Sequence, residues 1–547
     1  MLSMNQMQNK LIEFTYVSKE TYENPFWDTQ ITAVFCNQEQ KICQTVYGFY
    51  DGMDQEHNQV WKIRWMPLKA GHWTCQITTR PETDDLCQKT EFQIKKDQVL
   101  CRGYLKTDMS KNWKFHFDQG EPFFLFGDTM YNLIGAHYCG VDIRRILETR
   151  RQQGINYLRV RIHNSSYHPP IKSSWMNRDC WPWGGSAQWP DFKRFHLEYF
   201  QSMDEVMLLA TELDMGLEMI FEAWMLEFPF NDRGRFLPEY EALWLQYIIA
   251  RYSAFPCVYL WCPANEYEFY PDGTASYHTE ADRWMKRVAA QIKSLDPFGH
   301  PIGIHNWGEE TTPLTNRCQG MDDLDVYLVQ TAWAKDMSLP EKELELCASM
   351  DQHISQLVPI QDRAVIVSEF GYERAAGLET VDAHDKLNCH HTRRGQWRAG
   401  FMGYPIVHGF NNTWGPHMTV SSDATGTGFL IHYYRFMTEE IKFYEMVPDH
   451  EIILRYTTTE KTAKPLCLFK SDGSVIAIYF PVKGECELKL ETAEQYTYCW
   501  YQPQNGLKSE ADCCSSNQFA TPGTNDRDDW VLLICRRQVE RGFLRKD

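Results

Sequence analysis

No stretch of 18 apolar residues occurs in the 547-residue sequence, so no segment reads as a membrane-spanning helix. Positive charge is also short: 55 Lys and Arg stand against 73 Asp and Glu, a formal net charge of −18. A surface of that sign repels phosphate backbones and anionic lipid, which argues against nucleic-acid and membrane partners. The 18 cysteines contain no C-x-x-C pair; apart from Cys513 and Cys514 they are scattered singly from Cys36 to Cys535. With no apolar leader in MLSMNQMQNK, this pattern predicts reduced, buried thiols in a cytoplasmic protein. Neither G-x-G-x-x-G nor G-x-x-x-x-G-K follows an apolar run, so no nucleotide cofactor is expected. Cys389-His390-His391 has no spaced partners and reads as a solvated helix start; no metal is expected either.

What the chain has in abundance is aromatic residues, 14% of the total with 19 Trp. Flat rings stack on the C–H faces of sugars, so an aromatic excess in an acidic chain hints at carbohydrate, though Trp also fills cores.

Three regions differ in hydrophobic period. Residues 1–105 carry short β-branched and aromatic runs, LIEFTYVS, ITAVFC, TVYGFY, WKIRWMP, HWTCQITTR and TEFQIKK, broken by turns such as Asp51-Gly52. They predict a β-sandwich. In 106–435, eight apolar runs alternate with amphipathic helices: PFFLFGDT, INYLRVRIH, GLEMIFEAW, VYLWCPANE, PIGIHNW, LDVYLVQT, AVIVSEFG and HGFNNTWG. One helix shows Phe200, Met203, Met207 and Ala210 on one face. Another places Ala281, Met285, Val288, Ile292 and Leu295 on a stripe, with Thr279 and Asp282 as a capping pair. Eight such alternations predict a (β/α)8 TIM barrel. Residues 436–547 return to short strands and predict a second, C-terminal β-sandwich. The fold expected is therefore multidomain, a central (β/α)8 barrel flanked by two sandwiches that dock on it and lack carboxylate pairs of their own.

A barrel of this kind works at the C-terminal ends of its strands. There, runs four and seven end in Glu266 and Glu369, each the first carboxylate after an apolar strand. Buried strands seldom end in unpaired carboxylates. Strands four and seven face each other across the mouth, so the two can approach to about 5 Å, the separation of a retaining glycosidase pair. Asp128, after run one, is a candidate hydrogen-bond partner of sugar hydroxyls. Arg159, Arg161 and His163 alternate along run two and share a face. An Arg beside Glu369 would keep that carboxylate ionised. Glu222 and Trp224 at run three, and Gln330 and Trp333 at run six, are subsite candidates. The long loop Asn164–Asp191, with Trp175, Trp181, Trp183 and Trp189, is expected to wall the sugar pocket.

The stretch W-C-P-A-N-E resembles the W-x-x-x-N-E signature of the large glycoside hydrolase clan with glutamates on strands four and seven. That resemblance implies Glu266 as acid/base, Glu369 as nucleophile, Asn265 bonded to the sugar hydroxyl next to the reacting carbon, and Trp414 as a stacking aromatic. INYLR resembles the clan pattern at Arg159, yet Arg161 lies nearer the strand end, and the pattern does not choose between them. VQTAW stands where the clan often carries His or Tyr. NPFWDTQITAVF, VYGFYDG and EPFFLFGDTMYNL are similar to apiosidase-like barrels with an N-terminal sandwich, and CWYQPQNG to the small sandwich that closes such chains.

The expectation is a retaining glycoside hydrolase of short glycosides or oligosaccharides, with no cofactor and a carbohydrate as its partner. Self-association is open from sequence. Two alternatives stand beside it: a non-catalytic carbohydrate-binding protein on a degenerate barrel, and an inverting enzyme using Glu268 or Glu373.

Overall fold

The computed structural model describes residues 6–7, 10–82, 86–97, 102–164, 175–222, 227–308, 310–331, 341–378, 387–414, 417–492 and 495–537. Eight parallel strands form its centre: β1 (Phe126–Thr129), β2 (Tyr157–Arg161), β3 (Gly216–Glu222), β4 (Val258–Ala264), β5 (Gly303–His305), β6 (Val326–Thr331), β7 (Ala364–Glu373) and β8 (Ile406–Phe410). Their order is β4-β3-β2-β1-β8-β7-β6-β5. A parallel bridge between Trp261 and Ile302 brings the two ends of the sheet together. All eight coincide with the apolar runs of the sequence, because strands covered on both faces must be apolar nearly throughout.

Two apolar layers follow from the alternation of side chains. Inward-facing Tyr157, Ile220, Leu260, Cys262, Val326, Leu328, Ala364, Ile366 and Val407 fill the barrel in one cluster. Phe115 and Phe117, from the hairpin of Leu105–Thr107 and Phe115–Phe117, belong to the same cluster, as do Tyr131, Tyr372 and Trp414. Outward residues such as Leu158, Val160, Leu217 and Met219 pack under the helices. Helix α1 (Leu197–Glu212) buries Phe200, Met203, Met207 and Ala210 as its period requires. Helix α2 (Thr279–Leu295) buries the expected stripe, but Thr279 does not cap it. His278 is the N-cap, without a side-chain bond, and Asp282 instead accepts the hydroxyls of Tyr267 at 2.8 Å and Tyr277 at 2.5 Å.

The N-terminal sandwich packs a five-stranded against a three-stranded sheet. Strand Gln30–Asn37 alternates buried and half-buried residues, and its Phe35 stacks on Trp65 of the opposite sheet at 4.2 Å. Arg64 and Arg251 clamp Asp204, each with a contact of 2.7 Å, tying this sandwich to α1. The C-terminal sandwich pairs six- and three-stranded sheets. It is held by helix α3 (Cys389–Phe401), whose Arg393 meets Asp529 at 2.9 Å. Both sandwiches are thus docked on the barrel. Among the described residues no helix is long and apolar enough to cross a membrane.

Three expectations need correction. Not every cysteine is a reduced thiol: Cys36 and Cys43, directly paired neighbours on adjacent strands, form a disulfide, the one disulfide among the described residues. The Cys389-His390-His391 segment does start a helix, capped by Asn388, but His391 is buried and stacks on Phe370 at 4.6 Å rather than meeting solvent. The tryptophan loop is only partly a rim. Trp181 and Trp183 are buried against Phe192, Phe228 and Trp244, where aromatic area gains most, and only Trp189 is broadly exposed, at 78%. Residues 165–174 of that loop lie outside the described residues.

Candidate active site

Glu266 and Glu369 meet at the C-terminal mouth of the barrel, each 4% exposed. Strand β7 carries Glu369, and in the β6–β7 register Gln330 lies opposite it. Glu369 is saturated with donors. Its Oε2 accepts Arg159 Nη1 at 3.1 Å and the Tyr131 hydroxyl at 2.8 Å. Its Oε1 accepts Gln330 Nε2 at 2.8 Å and the Tyr372 hydroxyl.

Glu266 is held differently. It follows β4 in a left-handed conformation, φ +55°, ψ +60°. Its Oε2 is buried and has no partner among the described residues. Burial, then the negative Glu369 and Glu268, push its carboxyl well above the ordinary range. The two carboxylates are thus held unequally: four donors converge on Glu369, while Glu266 keeps a buried oxygen without a partner among the described residues.

The Arg159/Arg161 ambiguity resolves in three dimensions. Arg159 also donates to Asn265 Oδ1 at 2.5 Å and Glu218 Oε1 at 3.1 Å. Burial opposes its charge, but Tyr131, Glu218 and Glu369 together hold it firmly protonated. Arg161 turns instead to Glu227 at 2.5 Å and to Asn132. Asn265, with its oxygen committed to Arg159 and Tyr131, leaves Nδ2 unpartnered. Trp414 lies over Tyr372, ring centroids 4.8 Å apart, in the same cluster as Tyr131.

Other candidates are drawn into the structure. Asp128, expected on the substrate, is wholly buried and accepts Arg150 Nε at 2.7 Å and the Thr413 hydroxyl at 3.1 Å. Burial lifts its carboxyl to about 6 against the pull of Arg150. Glu222 accepts Arg233 at 2.5 Å, and burial raises it to about 8 while Arg233 opposes. His163 sits in an aromatic cage of Trp181, Trp183 and Phe230, and burial depresses its ring well below the ordinary imidazole value. None of the three reaches the two glutamates by a direct bond. Trp224 and Trp333 lie outside the described residues. Glu268 is committed to Arg317 at 2.6 Å and the Trp307 amide at 2.9 Å. Glu373 is committed to the Thr392 hydroxyl and the Gly426 amide. Neither is free to replace Glu266 or Glu369.

Four residues at the site stand outside the candidates read from the sequence: Tyr131, Glu218, His305 and Tyr372. Glu218 left a signal, a carboxylate in mid-run in GLEMIFE with the inward parity of Ile220. His305 ends its own apolar run. Tyr131 and Tyr372 left none, since a Tyr after an apolar run is ordinary core.

A family model described as an apiosidase-like catalytic domain matches residues 110–426, more than half of the chain. Residues 5–80 match a domain of unknown function, and 447–535 a domain provisionally described as the collagen-binding domain of a collagenase. No curated protein matches the chain. Among solved structures, a Bacteroides vulgatus ATCC 8482 protein provisionally assigned as a glycoside hydrolase is 16% identical. It covers 97% of this chain and 99% of its own, with a TM-score of 0.69. A structure described only as a glycoside hydrolase is 17% identical, covering 80% and 98%, with a TM-score of 0.60. A glycoside hydrolase family 5 structure, also from Bacteroides vulgatus ATCC 8482, is 17% identical over 80% and 93%, with a TM-score of 0.59. At these identities the likeness is one of fold.

Proposed function

Because this chain belongs to the apiosidase-like family, with its barrel in the position of that family's catalytic domain, we propose that it is a retaining glycoside hydrolase of short glycosides or oligosaccharides. The observation that carries the reading is the asymmetry of the two glutamates: four donors converge on Glu369, while Glu266 keeps a buried, unpartnered oxygen and a raised pKa.

In the first step a Glu369 oxygen attacks the anomeric carbon. The bond to the leaving oxygen breaks, and that oxygen takes the Glu266 proton. In the second step Glu266, now a carboxylate, removes a proton from water as the water displaces Glu369, and the configuration is retained. Arg159 and Tyr131 steady the nucleophile; the unpartnered Nδ2 of Asn265 is placed to donate to the hydroxyl beside the reacting carbon; Trp414 offers its ring to the sugar face. A single disulfide among the described residues of a chain with 18 cysteines fits a reducing, cytoplasmic setting.

The test is hydrolysis of a panel of aryl glycosides, with the anomer of the first-formed product read by NMR. Retention supports the reading. Inversion would demand a separation of about 6.5–9.5 Å and a different base. Binding of glycans with no hydrolysis of any panel member would favour a degenerate barrel.

A further inference from the structure

The end of β5 continues as His305-Asn306-Trp307, and each residue grips a different neighbour. His305 Nδ1 accepts the backbone N–H of Glu266 at 3.1 Å. Asn306 Oδ1 accepts the backbone N–H of Gln330, whose side chain touches Glu369, at 2.9 Å. The Trp307 amide donates to Glu268 Oε2 at 2.9 Å, and Arg317 binds the other oxygen of that carboxylate. One strand end thus holds the loop after β4 at positions 266 and 268, and holds strand β6 at 330.

The grip on residue 266 matters because of its backbone. A residue with a Cβ enters the left-handed region only against steric strain and stays there only when its surroundings hold it. Glu266 is such a residue, and its amide is the group His305 anchors.

We propose that His305 is a positioning residue: by accepting the Glu266 amide through Nδ1 it holds the left-handed turn that aims the Glu266 carboxyl at the departing oxygen. The inference rests on the acid role given to Glu266 above. With Nδ1 engaged as acceptor, the ring proton lies on Nε2. Nε2 faces Glu369 Oε2 at 3.4 Å, beyond a good hydrogen bond, so the grip on Glu266 is the stronger of the two contacts. The ring is fully buried, which with Arg159 nearby keeps it neutral and Nδ1 able to accept.

The two ring nitrogens can be separated by substitution. His305→Asn sets an amide oxygen near the place of Nδ1. His305→Gln reaches toward Nε2 and gives up the Nδ1 position. The measurement is kcat/KM, which reports the first chemical step, on a 2,4-dinitrophenyl glycoside that leaves without a proton and on the matching unactivated alkyl glycoside. For His305→Gln we expect a loss of about 10²–10³-fold on the alkyl glycoside and less than about fivefold on the dinitrophenyl one. His305→Asn should stay within about fivefold of the parent on both. Equal losses on both substrates in both variants, or a His305→Gln enzyme with the parent's leaving-group dependence, would overturn the proposal. Crystal structures of the two variants give a second reading that needs no activity. Residue 266 should keep positive φ in His305→Asn and lose it in His305→Gln; positive φ in both would refute the positioning role. If the parent protein cleaves no glycoside, the enzymatic reading fails while the backbone measurement still decides the claim about His305.

Discussion

Asp128 of β1 and Glu222 of β3 share the barrel mouth with Glu266, just after β4, and Glu369 of β7, yet the two pairs are held in different ways. Asp128 is consumed by Arg150, itself shared with Asp423 at 2.8 Å, and Glu222 by Arg233. Arg150 comes from the helix Ile143–Gln152 and Arg233 from the loop that follows β3. Arg159, by contrast, rises from β2 inside the barrel and is divided among Glu369, Glu218 and Asn265. It orders Glu369 without removing it from the mouth, and no cation meets Glu266 at all within salt-bridge distance among the described residues. A carboxylate at a strand end is therefore a poor marker of a site by itself. What sets this pair apart is that four donors converge on Glu369 while no cation lies within salt-bridge distance of Glu266 among the described residues.

Substitutions at both ends of this contrast should behave oppositely. The largest effect is expected for Glu369→Ala: a loss of about 10⁴-fold or more in kcat on aryl glycosides, with thermal unfolding little changed. Azide should then yield the inverted glycosyl azide. Glu266→Ala should lose as much on unactivated substrates, but its turnover of a dinitrophenyl glycoside should be accelerated by azide, giving a product of retained configuration. Near-normal activity in both variants would dissolve the distinction between the two pairs of strands.

Arg159→Lys removes the planar fork that reaches Glu218, Tyr131, Ser368, Glu369 and Asn265, so a loss of about 10²-fold in kcat/KM is expected, with KM changing less than kcat. The opposite signature is expected at β1. Asp128→Ala leaves Arg150 buried beside a single remaining carboxylate and should cost about 3–5 kcal/mol in urea unfolding. Its kcat, measured well below the shifted melting temperature, should stay within a few-fold of the parent. A catalytic loss at Asp128 without a stability loss would return that residue to the substrate.

The smallest effect separates the glutamates by pH. The Glu266 carboxyl titrates in the folded protein well above its ordinary value, so the unfolded chain releases this proton first as pH rises. Stability from this group is therefore full below the ordinary carboxylate pKa and is lost as pH climbs toward the folded value. Glu266→Gln should match the parent's melting temperature in acid and exceed it by a few degrees at alkaline pH. In the parent, activity should fall over the alkaline limb as the same proton leaves.

The alternation of apolar runs and amphipathic stripes made the barrel strands and the two sandwiches legible, because burial on both faces of a strand leaves a continuous apolar signature. Glu266 and Glu369 were legible for the same reason: a charge ending such a run stands out, and W-C-P-A-N-E added a resemblance. Sequence alone could not choose Arg159 over Arg161, since both share the inward parity of β2 and only depth in the barrel separates them. It could not set Asp128 and Glu222 aside, because their partners Arg150 and Arg233 come from segments whose approach is fixed by packing. It gave no hint that Trp181 and Trp183 turn inward or that Cys36 meets Cys43. The composition of the chain thus determined its layers and where carboxylates would surface. The closing of the ring decided which arginine reached which carboxylate, because direction and distance between side chains from different strands exist only once the barrel has formed.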